Sequence, residues 1–236
     1  MKHLRCLLII FGLMLGSASV GVAQDFEKGL EAARAGDYET AFREWLPLAE
    51  HGNATAQVNL GLMYRNGNRG PVDNVEAEKW FRLAAKQGNA RAQYTLGVMY
   101  DYGEGVPEDD AEAVKWYRLA AEQGDADIQH ILGLMYRKGD EVLQDYAEAE
   151  KWFRLAAKQG DAHAQFILAM MYENGEGVLQ SNVMAHMWYN IASANGLGIA
   201  GERRGERADE MTSADISKAQ AMARECMGSS YKNCGW

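Results

Sequence analysis

The chain has 236 residues, 47% of them hydrophobic and only three of them proline, which is enough apolar material for a sizeable, mostly helical core. Its formal charge of −9 excludes the basic footprint that nucleic acid or an anionic lipid surface would require.

Residues 1–23 read as a secretory signal peptide: a basic start at Lys2 and Arg5, an apolar run from Leu7 to Leu15, and small residues through Ala23 for cleavage before Gln24. The apolar run is too short to span a bilayer well. Cys6 lies too early for a lipidation site. No membrane span is expected in the mature chain, and a periplasmic or secreted location follows. Removing the leader leaves Cys226 and Cys234, an even count that in an exported protein reads as one disulfide, with two unlinked thiols as the alternative.

Residues 24–52 form an N-terminal capping pair, with helices expected at 26–35 and 38–51. Ala41, Trp45 and Leu48 share a face of the second by i, i+4 and i+7 spacing.

One unit is then written four times without a gap, at 53–88, 89–124, 125–160 and 161–196. A fixed period of about 36 residues means a solenoid, because no single unit can bury its apolar face alone. Asn53, Asn89, Asp125 and Asp161 stand where the N-cap of a first helix belongs, and Gly67, Gly103, Gly139 and Gly175 where it ends. A second helix starts at Asp73, Asp109, Asp145 and Ser181, with Glu76, Glu112 and Glu148 completing a capping-box pattern in three copies. It buries Ala77, Trp80, Phe81, Ala84 and their equivalents, and carries the outward pairs Glu78–Arg82 and Glu150–Arg154. The tryptophans recur at helical spacing in every copy and read as core.

On the first helix the repeating columns fall on one arc and the changing columns on the opposite one, expected to line an inner, concave surface. The changing columns are Val58, Tyr94, His130, Phe166; Asn59, Thr95, Ile131, Ile167; Leu62, Val98, Leu134, Met170; and Arg65, Asp101, Arg137, Glu173. From them and the adjacent Tyr102 a partner-binding face is expected: Asn59, Leu62, Tyr94, Val98, Tyr102, His130, Leu134, Arg137, Phe166 and Met170. An aromatic and aliphatic row with charged edges suits an extended peptide or an amphipathic helix. The alternative is that the row packs against neighbouring helices. The sign alternation of the fourth column reads as pairing among its own members.

After Gly196 the period fades into C-terminal capping helices over 197–236. A polar helix is expected at 198–211, and a last one capped by Ser213 with Ile216, Ala219, Ala223 and Met227 along one face.

No nucleophile–base arrangement, cofactor motif or metal-ligand spacing stands out. His130 and His163 lie on successive first helices, where an approach of one to the other is conceivable, but without a ligand pattern. Gly103–Val106 and Gly175–Val178 imitate phosphate loops yet recur as inter-helix turns. Ser229 and Lys232 fit Ser-x-x-Lys without the companion motifs of serine β-lactamases.

The combination of Ala90, Ala92, Gln93, Leu96, Gly97, Tyr100, Gly103, Gly105, Val106, Ala113, Trp116 and Tyr117 in the second copy, echoed in the others, resembles the Sel-1-like repeat family, whose units are related to tetratricopeptide repeats. The departures are Arg69 and Glu141 for the second loop glycine, Ala169 for the helix glycine, and Met187 and Asn190 for Lys and Arg. The resemblance implies an all-α, right-handed α/α solenoid acting as a monomeric scaffold or adaptor for a protein or peptide ligand, without catalysis. The alternative it implies is an envelope enzyme acting on β-lactams or peptidoglycan. Members with that activity carry a cysteine pair in each repeat, and these repeats carry none.

Overall fold

The computed structural model describes residues 18–139 and 142–235. The expected leader as far as residue 17 lies outside them, as does Glu141. Among the described residues the chain forms twelve helices and no strand, an all-α helical solenoid. It divides into two compact units, the first ending at Ala84 and the second beginning at Ala85.

In the first unit, α1 (Ala18–Arg34) begins earlier than the expected 26–35 helix and runs through the Ala23–Gln24 junction. It packs on α2 (Tyr38–Glu50), which packs on α3 (Ala54–Asn66); α4 (Asn74–Lys86) carries the unit boundary. Ala41, Trp45 and Leu48 do share the buried face of α2, where they meet Ala56, Leu60 and Met63. The Trp45 indole N–H donates to the Phe26 carbonyl at 3.2 Å, which satisfies its polar end. Arg69, in place of the second loop glycine, lies 4.1 Å over the Phe42 ring and bonds Glu39 at 2.7 Å. The loop takes an extra turn there, with the Gly70 N–H on the Gly67 carbonyl.

The second unit holds three hairpins: α5 (Ala90–Asp101) with α6 (Asp110–Ala121), α7 (Ala126–Lys138) with α8 (Tyr146–Ala157), and α9 (Ala162–Asn174) with α10 (Asn182–Ala194). Each second helix packs on the next first helix, and α10 packs in addition on α11 (Gly198–Ala208) and α12 (Ser213–Gly228).

The caps form where the sequence places them. Asn89 accepts from the Ala92 N–H, Asp125 from Asp127 and Ile128, and Asp161 from His163 and Ala164, all at 2.8–3.1 Å. The expected capping boxes are only half made. Asp109 accepts from the Glu112 N–H, but the Glu112 carboxylate turns to Lys115, as Glu148 turns to Lys151. The reason is that the cap's own N–H is already taken. Asp109 N–H donates to the Tyr100 carbonyl, Asp145 to Tyr136 and Ser181 to Tyr172, at 2.9–3.0 Å. These bonds pin each hairpin shut.

Two repeated residues set the spacing, a glycine within the hairpins of the second and third repeats and a glutamine between one repeat and the next. A Cβ on Gly97 would stand 2.7 Å from the Tyr117 ring, and one on Gly133 2.8 Å from the Phe153 ring, so glycine lets the helices of a hairpin approach. The glutamines are fully committed. Gln93, Gln129 and Gln165 donate to the carbonyls of Ala85, Ala121 and Ala157 at the end of the preceding second helix, at 3.0–3.1 Å. Their own carbonyls accept from Gln123, Gln159 and Asn195 at 2.6–2.9 Å.

At the C-terminus Thr212, not Ser213, caps α12, accepting from the Asp215 N–H at 3.1 Å. Ala219, Ala223 and Cys226 are buried on α10's side of the molecule, and Cys226 is disulfide-bonded to Cys234. Tyr231 donates to Asn195 at 2.9 Å, which ties the tail to the end of the fourth repeat. This covering layer accounts for Met187, where other copies carry an exposed lysine: the side chain is fully buried.

His186 is buried in the same place, its Nδ1 without a hydrogen-bond partner among the described residues. Burial, and secondarily the Arg204 guanidinium, pushes its pKa below the ordinary 6.5. The folded chain therefore disfavours the charged ring more than the unfolded chain does. Stability from this site should be full above about pH 6.5 and fall as pH drops below it. Chemical denaturation between about pH 7.5 and about pH 5 should show that loss, and His186→Leu should flatten it. An unchanged slope in the variant would assign the loss to other groups.

Candidate functional site

Tyr94, His130 and Phe166 occupy the same place on α5, α7 and α9, and all three are half-buried. Each ring leans on the aromatic of its own hairpin's second helix. Tyr94 lies 5.7 Å from Tyr117, His130 5.7 Å from Phe153, and Phe166 5.4 Å from Tyr189, all tilted or edge-on. One side of the row is therefore packing and the other is accessible. Val98, Leu134 and Met170, one turn further along, are also half-buried. Tyr102, the C-cap of α5, is 70% exposed. Asn59 and Leu62 are half-buried in the first unit.

Not every changing column is open. Thr95 and Ile167 are buried, Thr95 with its hydroxyl on the Arg91 carbonyl at 2.8 Å. Within the second unit, the sign-alternating residues Asp101, Arg137 and Glu173 each turn to a partner outside their own column. Asp101 and Glu173 accept the hydroxyls of Tyr117 and Tyr189, and both tyrosines are held above their ordinary pKa, first by burial and then by that carboxylate. Phe153 replaces the tyrosine in the third repeat, and there Arg137 turns away to Glu176 at 2.9 Å. Burial raises the Glu176 carboxyl, but Arg137 and Asn174 outweigh it and hold it below its usual range. The alternation thus tracks which second helices carry a hydroxyl to satisfy.

The histidines do meet. His130 Nδ1 donates to Asp161 Oδ2 at 3.0 Å, and the two imidazole rings are 6.2 Å apart. Burial raises the Asp161 carboxyl, and the bonds from His130 and the Ala164 N–H bring it below its ordinary value. Among the described residues no group of three or more His, Cys, Asp or Glu could hold a metal.

Two features escaped the sequence reading. Between α5 and α7 lies a groove of about 470 Å³ lined by Arg91, Tyr94, Asp125, Asp127, Ile128 and Ile131. Arg91 and Asp127 belong to a changing column, shared with Thr55 and His163, which was the available signal. The second feature is a pair of loop leucines, Leu143 and Leu179, 92% and 91% exposed. The glutamines that follow them, Gln144 and Gln180, anchor the loops on the Arg137 and Glu173 carbonyls at 2.9 Å. The Ser229 hydroxyl, for its part, builds a turn: it donates to the Cys226 carbonyl and accepts from the Asn233 N–H, each at 2.9 Å. Among the described residues no helix is long and apolar enough to cross a membrane.

The Sel1 repeat family model matches residues 54–89, 90–125, 126–161 and 162–197, more than half of the chain. A Sel1 repeat protein from Oxalobacter formigenes is similar in structure, with 30% identity, a TM-score of 0.68, and 87% of this chain and 77% of that one covered. A protective antigen of uropathogenic Escherichia coli with an SLR fold is 27% identical at a TM-score of 0.49, covering 91% of this chain and 56% of that one. No curated protein matches the chain.

Proposed function

The chain belongs to the Sel1 repeat family, and from that premise we propose that it is an exported scaffold holding a partner protein or peptide along the non-repeating side of its first helices. Proteins of this family are commonly protein–protein interaction scaffolds and are generally not enzymes. The observation that carries the reading is the row Tyr94, His130 and Phe166: side chains that differ from copy to copy, half-exposed, on hairpins whose stacking residues repeat. Stacking selects the repeated positions, so variation at accessible ones is spare for recognition. Val98, Leu134 and Met170 would extend the apolar strip, and Tyr102 and Arg137 would edge it. The leader-like residues 1–23 and the Cys226–Cys234 disulfide support export to a periplasmic or external compartment. We take the working form to be a monomer.

The test is crosslinking in the native envelope with wild type, Tyr94→Ala and Phe166→Ala, followed by mass spectrometry. Each truncation also removes a ring contact worth about 0.5–1.5 kcal/mol, so capture is compared well below the melting transition and at matched helicity. Loss of the same partners in both variants is expected. If both variants capture what wild type captures, the row is packing and not the site.

A further inference from the structure

We propose that the groove between the ends of α6 and α8 is a second docking surface, one that takes a tyrosine of a partner peptide with acidic residues on either side of it. The molecule supplies the template one repeat later. Gly124, Trp152, Leu155 and Gln159 line this groove of about 650 Å³. Their counterparts one period on are Gly160, Trp188, Ile191 and Asn195, and there the chain covers the junction itself. α12 does not pair with α11 as a further second helix would, but folds back on α10. The Tyr231 hydroxyl donates to Asn195 Oδ1 at 2.9 Å, and the edge of its ring lies beside Gly160, 3.7 Å from where a Cβ would stand. Ser230 and Tyr231 take left-handed backbone angles, with φ of 52° and 61°, so the tail places that ring at a cost in backbone strain.

The cover changes the burial of matched positions. Ile191 is fully buried, whereas Leu155 in the same column is 37% exposed. The next first helix does not account for this, since α9 follows α8 as α11 follows α10; α12 and the tail do. The earlier junction presents the same receiving surface uncovered. Gln159, like Asn195, spends its amide N–H on the glutamine of the following first helix, which leaves its carbonyl as the acceptor a phenol can reach. The charges differ. Lys151 and Lys158 stand where Met187 and Ala194 do, and with Arg118 they outnumber Glu122 among the lining residues. The Lys151 pair with Glu148, at 3.4 Å, is exposed and of small worth. A groove of this charge selects acidic neighbours for the tyrosine. A second copy of the chain fits less well: its Tyr231 is held by its own Asn195, and Asp101, beside its exposed Tyr102, is spent on Tyr117.

The experiment is an NMR titration of the isotope-labelled full chain with blocked pentapeptides, Ser-Glu-X-Glu-Ser, in which X is tyrosine, leucine or alanine, and with Ser-Lys-Tyr-Lys-Ser. The glutamate-flanked tyrosine peptide should shift the backbone amides of Gly124, Leu155 and Gln159 saturably and leave those of Gly160 and Asn195 in place. It should bind roughly tenfold or more tightly than the alanine or the lysine-flanked peptide, and more tightly than the leucine one. Leu155→Glu should abolish that binding at unchanged helicity, and Lys151→Glu, on an exposed side chain, should erase the preference for acidic flanks. Equal binding of the four peptides, shifts confined to Gly160 and Asn195, or binding that survives Leu155→Glu would overturn the assignment. Sedimentation of the chain alone tests the other occupant: a concentration-dependent dimer lost in both Leu155→Glu and Tyr102→Ala would give the groove to a second copy and overturn it as well.

Discussion

Trp188→Ala is expected to cost about 3–5 kcal/mol of unfolding free energy, the largest single-residue loss in the repeats. Trp188 is fully buried, whereas its counterparts Trp116 and Trp152 keep 6% and 3% of their surface. The difference comes from the C-terminal layer: α10 is covered by α9, α11 and α12, while the earlier second helices carry no such lid. Truncation would open a cavity among elements that have nothing else to close over it, since the Cys226–Cys234 loop and the Tyr231 bond to Asn195 hold the tail in place. Denaturant unfolding of the two variants side by side would check this. A loss at Trp188 no greater than that of Trp116→Ala would mean that the C-terminal helices yield and refill the space.

The second large effect is expected from a polar residue. Gln165 is fully buried, donating to the Ala157 carbonyl at 3.0 Å and accepting from Asn195 at 2.8 Å. Gln165→Leu keeps the volume but orphans a carbonyl at the end of α8 and an amide at the end of α10, each costing about 1–3 kcal/mol if it stays dry. Stability should fall by that order, and amide exchange should quicken at the α8–α9 junction before it does elsewhere. Uniform quickening across the second unit would show instead that the repeats unfold as one and that the glutamine is no local tie.

The family, the helical hairpins and most N-caps were legible because each is a local matter, settled within a few residues of the one concerned. Asn89 caps α5 whatever stacks above it, and Gly97 leaves room for the ring of its own hairpin partner. Features shared between elements were not legible. Glu112 sits at the right distance for a capping box, yet the N–H it would serve is claimed by Tyr100 from across the hairpin. The signs at Asp101, Arg137 and Glu173 look like a charge ladder along the chain. They answer instead to whether Tyr117, Phe153 or Tyr189 lies opposite.

The amino-acid order by itself determined that this protein is a run of helical hairpins and which first-helix columns vary from copy to copy, because helix signals and a fixed period act over one or two turns. Tertiary structure alone decided which of the varying side chains stay accessible: Thr95 and Ile167 are taken into the core, His130 is drawn to Asp161, and Tyr94 leans on Tyr117. That choice depends on how closely one hairpin lies on the next, a distance set by residues a whole repeat apart.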